Sequence, residues 1–286
     1  MSQVITPQLR EWIISQAQAG FAADQVLASM KASGWNEDVA IDAMESTLQA
    51  HLQTTVQATQ QASALPTPVA VPELAIGDSP LYLQLEDRRV SVLTCMHDPD
   101  IVVIGDFLSM EECDGLIEGA KPRMARSLTV ETTSGGEEVN ADRTSNGMFY
   151  ARAETELIAR IERRLAQLTR WPVDNGEGLQ ILHYQPGAQY KPHYDYFDPS
   201  EPGTPTILKR GGQRVATILM YLHEPEAGGG TVFPDARLTV APKKGHAVFF
   251  SYNRAHPITK SLHGGEPVVR GEKWVATKWL REGKFT

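Results

Sequence analysis

Cysteine is almost missing from this chain of 286 residues, with only Cys95 and Cys113 present. Two thiols cannot staple a secreted scaffold and their spacing matches no metal cluster, so both are expected as reduced core residues. Runs of basic residues are missing too. The 27 Lys and Arg are outnumbered by 35 Asp and Glu, a net charge of −8, which disfavours nucleic acid and anionic membranes as partners. No stretch approaches the ~18 apolar residues of a membrane span, and the opening Met-Ser-Gln-Val-Ile-Thr-Pro-Gln-Leu-Arg lacks a basic segment followed by an apolar one. The expected location is cytoplasmic. Strands and helices do not alternate regularly, which argues against a doubly wound parallel sheet.

What is present falls into three parts. At 41% hydrophobic, the chain can fill one large domain, or a large domain plus a small module. Residues 7–50 show helical periodicity in three pieces parted near Gly20 and Gly34, carried by Trp12 and Ile13, then Val26 and Met30, then Val39, Ile41 and Leu48. Residues 1–60 set two basic against six acidic side chains, half of the net charge of −8. The Gly20-Phe21 loop and Gly34-Trp35-Asn-Glu-Asp-Val-Ala resemble ubiquitin-associated-like (UBA-like) domains, which implies a three-helix module over 1–50 with a protein partner. Residues 51–86, rich in Gln, Thr, Ala, Ser and Pro, read as a flexible linker.

From residue 87 the pattern turns to short strands, predicted at Val90–Thr94, Ile101–Ile104, Leu179–Tyr184, Val215–Leu222, Gly230–Phe233, Leu238–Val240, Ala247–Tyr252 and Lys273–Leu280. Two helices interrupt them, Ser109–Ala120 with Ser109 as N-cap, and Ala153–Leu168 with Leu157, Ile158, Ile161 and Leu165 on one face. The class expected is mainly β, an antiparallel sandwich or jelly roll buttressed by helices.

His193-Tyr194-Asp195 follows a strand-like run, and in extended chain residues i and i+2 face the same way. An imidazole and a carboxylate aimed at one point are two thirds of the set that holds non-haem Fe(II) with open positions. His256 and His263 are the candidates for the third ligand. In the last strand Lys273, Val275, Thr277 and Trp279 share one face, and Lys273 there reads as an inward cation awaiting an anion.

The order His193-x-Asp195, His263, Lys273 resembles the prolyl 4-hydroxylase family of Fe(II)/2-oxoglutarate-dependent dioxygenases. Further strings extend the likeness over residues 98–283: Arg143-Thr-Ser-Asn-Gly-Met-Phe, Leu179-Gln-Ile-Leu-His-Tyr-Gln-Pro-Gly-Ala-Gln-Tyr-Lys-Pro-His-Tyr-Asp, Gly228-Gly-Gly-Thr-Val-Phe-Pro and Ser261-Leu-His-Gly-Gly-Glu-Pro-Val-Val-Arg-Gly-Glu-Lys-Trp. The resemblance implies a double-stranded β-helix over 87–286 with Fe(II) on His193, Asp195 and His263. His263 is preferred to His256 because its distance to Lys273 and the string after it fit the family.

It also implies 2-oxoglutarate on the iron with its far carboxylate on Lys273, contacted by Tyr184 and by a hydroxyl matching Thr217. Arg143, Tyr190 and Trp279 are expected near the substrate. Hydroxylation with O2 would convert 2-oxoglutarate to succinate and CO2, with ascorbate as reductant. A carboxylate at Asp195 favours hydroxylation over halogenation. The Gly- and Pro-rich segments Thr132–Thr144 and Asp198–Gln213 read as lids, and Lys209, Arg210 and Arg214 give the second a positive charge suited to an acidic peptide. A prolyl residue in a protein or peptide is the implied substrate. The alternatives are a free amino acid or small metabolite, or a binding protein that senses oxygen or 2-oxoglutarate.

Overall fold

The computed structural model describes residues 5–63, 65–126, 129–130, 137–138 and 144–286. They form two compact units, Met1–Leu65 and Pro66–Thr286. No helix among the described residues is long and apolar enough to cross a membrane.

The first unit has three helices, α1 (Pro7–Gln18), α2 (Ala23–Ala32) and α3 (Glu37–Ser63). Thr6 caps α1, its hydroxyl accepting from the Leu9 N–H at 3.3 Å ahead of a proline in the first turn. Ile13, Val26, Met30, Ala40, Ala43 and Met44 make the core, with Trp12 and Trp35 packed on it. The third helix overruns the expected module boundary at 50. Residues 51–63 hold neither Gly nor Pro, and their Ala and Gln favour helix, so the first breaker is Pro66. The expected linker over 51–86 is wrong at its other end as well. Leu74 and Leu85 are buried in the second unit's core, and the Val69 N–H bonds the Asn253 carbonyl at 2.8 Å.

The second unit begins with β1 (Tyr82–Gln84), β2 (Arg89–His97) and β3 (Asp100–Gly105). Then come α4 (Met110–Ala120), short pieces β4 (Ala125–Arg126), β5 (Thr129–Val130) and β6 (Glu137–Glu138), β7 (Asn146–Tyr150) and α5 (Glu156–Thr169). The site-bearing half runs through β8 (Leu179–Tyr184), β9 (Tyr190–His193), α6 (Thr204–Leu208), β10 (Arg214–His223), β11 (Ala227–Gly228), β12 (Thr231–Phe233) and β13 (Leu238–Val240). It closes with β14 (Ala247–Ser251), β15 (His263–Gly265), β16 (Val268–Arg270) and β17 (Lys273–Arg281).

Nine strands make one antiparallel sheet in the order β1-β2-β3-β14-β10-β17-β8-β7-β4, and four make a second, β13-β12-β15-β9. The body is thus mainly β and jelly-roll-like, as expected. Strand parity sorts the two faces of the large sheet. Ile181, Ile218, Met220 and Ala276 meet Leu116 and Ile117 of α4 and Ile158, Ile161 and Leu165 of α5 on one side. On the other, Leu182, Tyr221, Val248, Phe250 and Val275 pack with Phe233 and Val240 of the small sheet. All of β17 is buried, so its alternating side chains serve both cores.

Ser109 caps α4 as expected, in a reciprocal pair with Glu112 at 3.0 and 3.1 Å. Cys113 is buried, but Cys95 lies exposed on β2, contrary to the core placement expected for both. Leu93, Thr94 and Cys95 are exposed in succession there, so neither face of that part of β2 is packed into the core.

Candidate active site

The small sheet is what creates the site. Strands β9 and β15 pair antiparallel with His193 opposite His263, so two histidines 70 positions apart in sequence become cross-strand neighbours with ring centroids 4.4 Å apart. The approach is close. A Cβ on Gly264 would come within 2.9 Å of the Tyr190 carbonyl oxygen and 3.0 Å of the Pro192 nitrogen, so only glycine lets the strands meet there.

Each imidazole is aimed by its backbone. His193 Nδ1 lies 2.9 Å from the Lys191 carbonyl oxygen and His263 Nδ1 lies 3.0 Å from that of Ser261. A carbonyl only accepts, so both rings carry a proton on Nδ1 and turn Nε2 to the cavity. Asp195, buried just past β9, places Oδ1 3.6 Å from His193 Nε2 and Oδ2 3.4 Å from His263 Nε2. The three donor atoms lie within 4.8 Å of one another, and this is the one such group of His, Cys, Asp or Glu among the described residues.

The electrostatics suit a cation. Burial pushes His263 down to about 4, against the pull of Asp195, so it is neutral at pH 7. Burial works the other way on Asp195, but the neighbouring imidazoles and Arg214 outweigh it and hold the carboxyl below its ordinary range. Two imidazole Nε2 atoms and a carboxylate then face one point, and among the described residues no lysine or arginine bonds that carboxylate. Such a neutral-nitrogen and anionic-oxygen set fits Fe(II) with positions left open. His256 is elsewhere, its Nδ1 accepting from the Ile258 N–H at 3.1 Å in a tight turn.

A cavity of about 450 Å³, open to solvent, joins the triad to Lys273. Lys273 starts β17 opposite Tyr184 of β8 and is 4% exposed. Its ammonium donates to the Gly229 carbonyl at 2.6 Å and stands 5.5 Å from the Tyr184 ring centre. Burial pulls its pKa down to about 8. Thr231, which sequence reasoning passed over within Gly228-Gly-Gly-Thr-Val-Phe-Pro, also lines this end and accepts from the Tyr221 hydroxyl at 2.8 Å. That acceptance leaves the Thr231 proton available to a ligand.

Along the same face of β17, Thr277 Oγ1 and Trp279 Nε1 are buried without a hydrogen-bond partner among the described residues. Tyr190 stacks on His193 with centroids 3.7 Å apart, and Arg214 covers Trp279 at 4.0 Å. Tyr184, Tyr190 and Trp279 therefore all reach the cavity. Arg143 lies outside the described residues, as does the first lid segment except Glu137, Glu138 and Thr144.

Two expectations are corrected. Thr217 is not at the Lys273 end. It pairs with Trp279, and its hydroxyl donates to Asp195 Oδ2 at 2.7 Å. Strands β10 and β17 are antiparallel, so the start of β10 meets the end of β17. The basic cluster of the second lid is displayed only in part, with Lys209 and Arg210 exposed and Arg214 half-buried. Arg214 is spent on Glu177 at 2.7 and 3.0 Å, and Arg210 donates to the Thr286 carbonyl at 2.9 Å. That segment folds around α6, with Gln213 bonding both the N–H and the carbonyl of Phe197.

A two-histidine, one-carboxylate centre sharing a cavity with a buried lysine is the arrangement of a 2-oxoglutarate-dependent oxygenase, and residues 179–281 match the 2OG-Fe(II) oxygenase superfamily. The chain is 45% identical to prolyl 4-hydroxylase 5 of Arabidopsis thaliana over 220 residues, 70% of this chain and 73% of that protein. It is 42% identical to prolyl 4-hydroxylase 1 of the same plant over 203 residues, 64% and 69% of the two. Among solved structures, the viral collagen prolyl hydroxylase of Paramecium Bursaria Chlorella virus-1 in its 2OG complex is 32% identical, with TM-score 0.48 over 63% of this chain and 95% of that one. This chain belongs to the prolyl 4-hydroxylase family of 2-oxoglutarate-dependent dioxygenases.

Proposed function

We propose that the protein 4-hydroxylates prolyl residues in a protein or peptide, using Fe(II) on His193, Asp195 and His263 and 2-oxoglutarate anchored at Lys273. The observation that carries this reading is a cavity lined by both the metal-ligand set and an ammonium that, among the described residues, forms no ion pair with a carboxylate. Bound Fe(II) supplies the centre where O2 is activated as 2-oxoglutarate goes to succinate and CO2, with ascorbate restoring the reduced metal. The chain's own residues do the positioning. Lys273, Tyr184 and Thr231 hold the far carboxylate. Leu182, Leu219 and Val275 line the dry wall between the two ends. Tyr190, stacked over His193, and Trp279, held by Arg214, offer aromatic faces to a prolyl ring.

The fold within unit two is read as the family's double-stranded β-helix, and the location as cytoplasmic. The first unit is read as a UBA-like module that recruits a protein partner, supported by its three-helix core and by Phe21, 52% exposed on the loop after α1. The test is incubation with Fe(II), 2-oxoglutarate, ascorbate and proline-containing peptides. Succinate release matched by one added oxygen on a prolyl ring is the expected result, and succinate with the oxygen on any other residue overturns the substrate assignment. Removing residues 1–65 should raise KM on a protein substrate and leave a short peptide unaffected.

A further inference from the structure

We propose that Thr217 and Tyr252 form a hydroxyl relay that holds Asp195 as a one-oxygen metal ligand, making both of them positioning residues. The inference rests on the reading of His193, Asp195 and His263 as the metal set. Asp195 sits in a bend beyond the end of β9, where no strand pairing fixes it. Its orientation comes from β10 instead. The Thr217 hydroxyl lies 2.7 Å from Asp195 Oδ2 and 2.9 Å from the Tyr252 hydroxyl, and Thr217 is fully buried.

The chemistry sets the direction of the relay. A carboxylate only accepts, so the Thr217 proton goes to Asp195, and the Thr217 oxygen must then accept from Tyr252. Oδ2 is thereby engaged. Oδ1 accepts no hydrogen bond within 3.5 Å among the described residues and lies 3.6 Å from His193 Nε2. One carboxylate oxygen is left for a metal, together with the two imidazole nitrogens. A carboxylate that gripped with both oxygens would consume a coordination position that a chelating cosubstrate and O2 require. Ligands are commonly aimed by such outer partners, and losing one costs metal affinity.

The test uses the full chain, stripped of metal and titrated with Co(II), which binds like Fe(II) and reports its coordination in visible absorption. Thr217→Val should weaken Co(II) binding about 10-fold or more and alter the visible bands, Tyr252→Phe should do so less, and Thr217→Ser should stay within about 3-fold of wild type with unaltered bands. Thermal unfolding of the metal-free variants separates lost ligation from lost folding. If the valine variant fails to fold, the serine and Tyr252→Phe variants still decide the matter through the band shape. A Thr217→Val protein with wild-type affinity and bands overturns the relay, as does a serine variant that behaves like valine. Wild-type binding that ignores His193→Ala overturns the metal reading itself, a different outcome from failure of the relay.

Discussion

Lys273 and Lys278 stand five residues apart on one strand, both withdrawn from water at 4% and 2% exposure, and face opposite sides of the large sheet. On the outer side, beneath α5, Lys278 meets Glu162 at 2.6 Å, and the other oxygen of Glu162 accepts from the Ala153 N–H at 2.8 Å. On the inner side Lys273 has a carbonyl and, among the described residues, no carboxylate within ion-pair distance, only the more distant attraction of Glu266. A buried ammonium with its counter-charge inside the chain is satisfied by the fold, whereas one without it keeps a desolvation cost that an incoming anion removes. The first kind of buried charge is architecture. The second kind marks where a ligand completes the electrostatics.

Lys278→Met breaks the outer pair and strands Glu162, so urea unfolding should show a loss of about 3–5 kcal/mol with 2-oxoglutarate binding retained. Adding Glu162→Leu should recover most of that loss, because both charges leave together. Lys273→Met sharpens the contrast by doing the reverse. No internal charge is stranded and only the Gly229 carbonyl loses its donor, so the stability loss should be much smaller than for Lys278→Met, while 2-oxoglutarate affinity in a calorimetric titration falls about 10- to 150-fold, the range for one charged hydrogen bond. Equal stability losses in the two single variants would mean that the lysines do not differ in kind.

The same contrast explains what could be read from sequence. The strands with dense β-branched and aromatic residues were legible, β8 and β13 to the residue, and parity along β17 put Lys273 inward before any coordinates. His193 and Asp195 were legible because their spacing is local. The strands that carry the histidines were not. Strand β9 contains Pro192 and β15 contains Gly264 and Gly265, residues poor in β propensity, and only pairing across 70 positions makes them strands. His263 was therefore reached through family resemblance rather than periodicity. Thr217 failed for a related reason, since its end of the cavity depends on antiparallel register that no local pattern encodes. Thr231 had a signal in the glycine string before it, and Tyr252 continues the inward parity of Phe250 just past β14.

The subtlest way to separate the two lysines is pH. Lys273 has its pKa brought down to about 8 by burial, from an ordinary 10.5, so its charge is lost well before that of an exposed lysine. Anion binding needs that charge. Affinity for 2-oxoglutarate should be level below pH 8 and fall about tenfold per unit above it, since neither carboxylate of the ligand titrates there. Stability should move the opposite way. Between pH 8 and 10.5 the unfolded chain holds a proton at this position that the native state has shed, so Lys273 adds stability as pH rises through that window. Lys273→Met lacks both slopes, and dividing wild-type curves by those of the variant removes every other titrating group. Lys278→Met should leave the affinity slope intact, because its ammonium faces α5 and not the cavity. An affinity that stays level to pH 10, or a slope that survives Lys273→Met, would show that the inner lysine is not the anion's anchor.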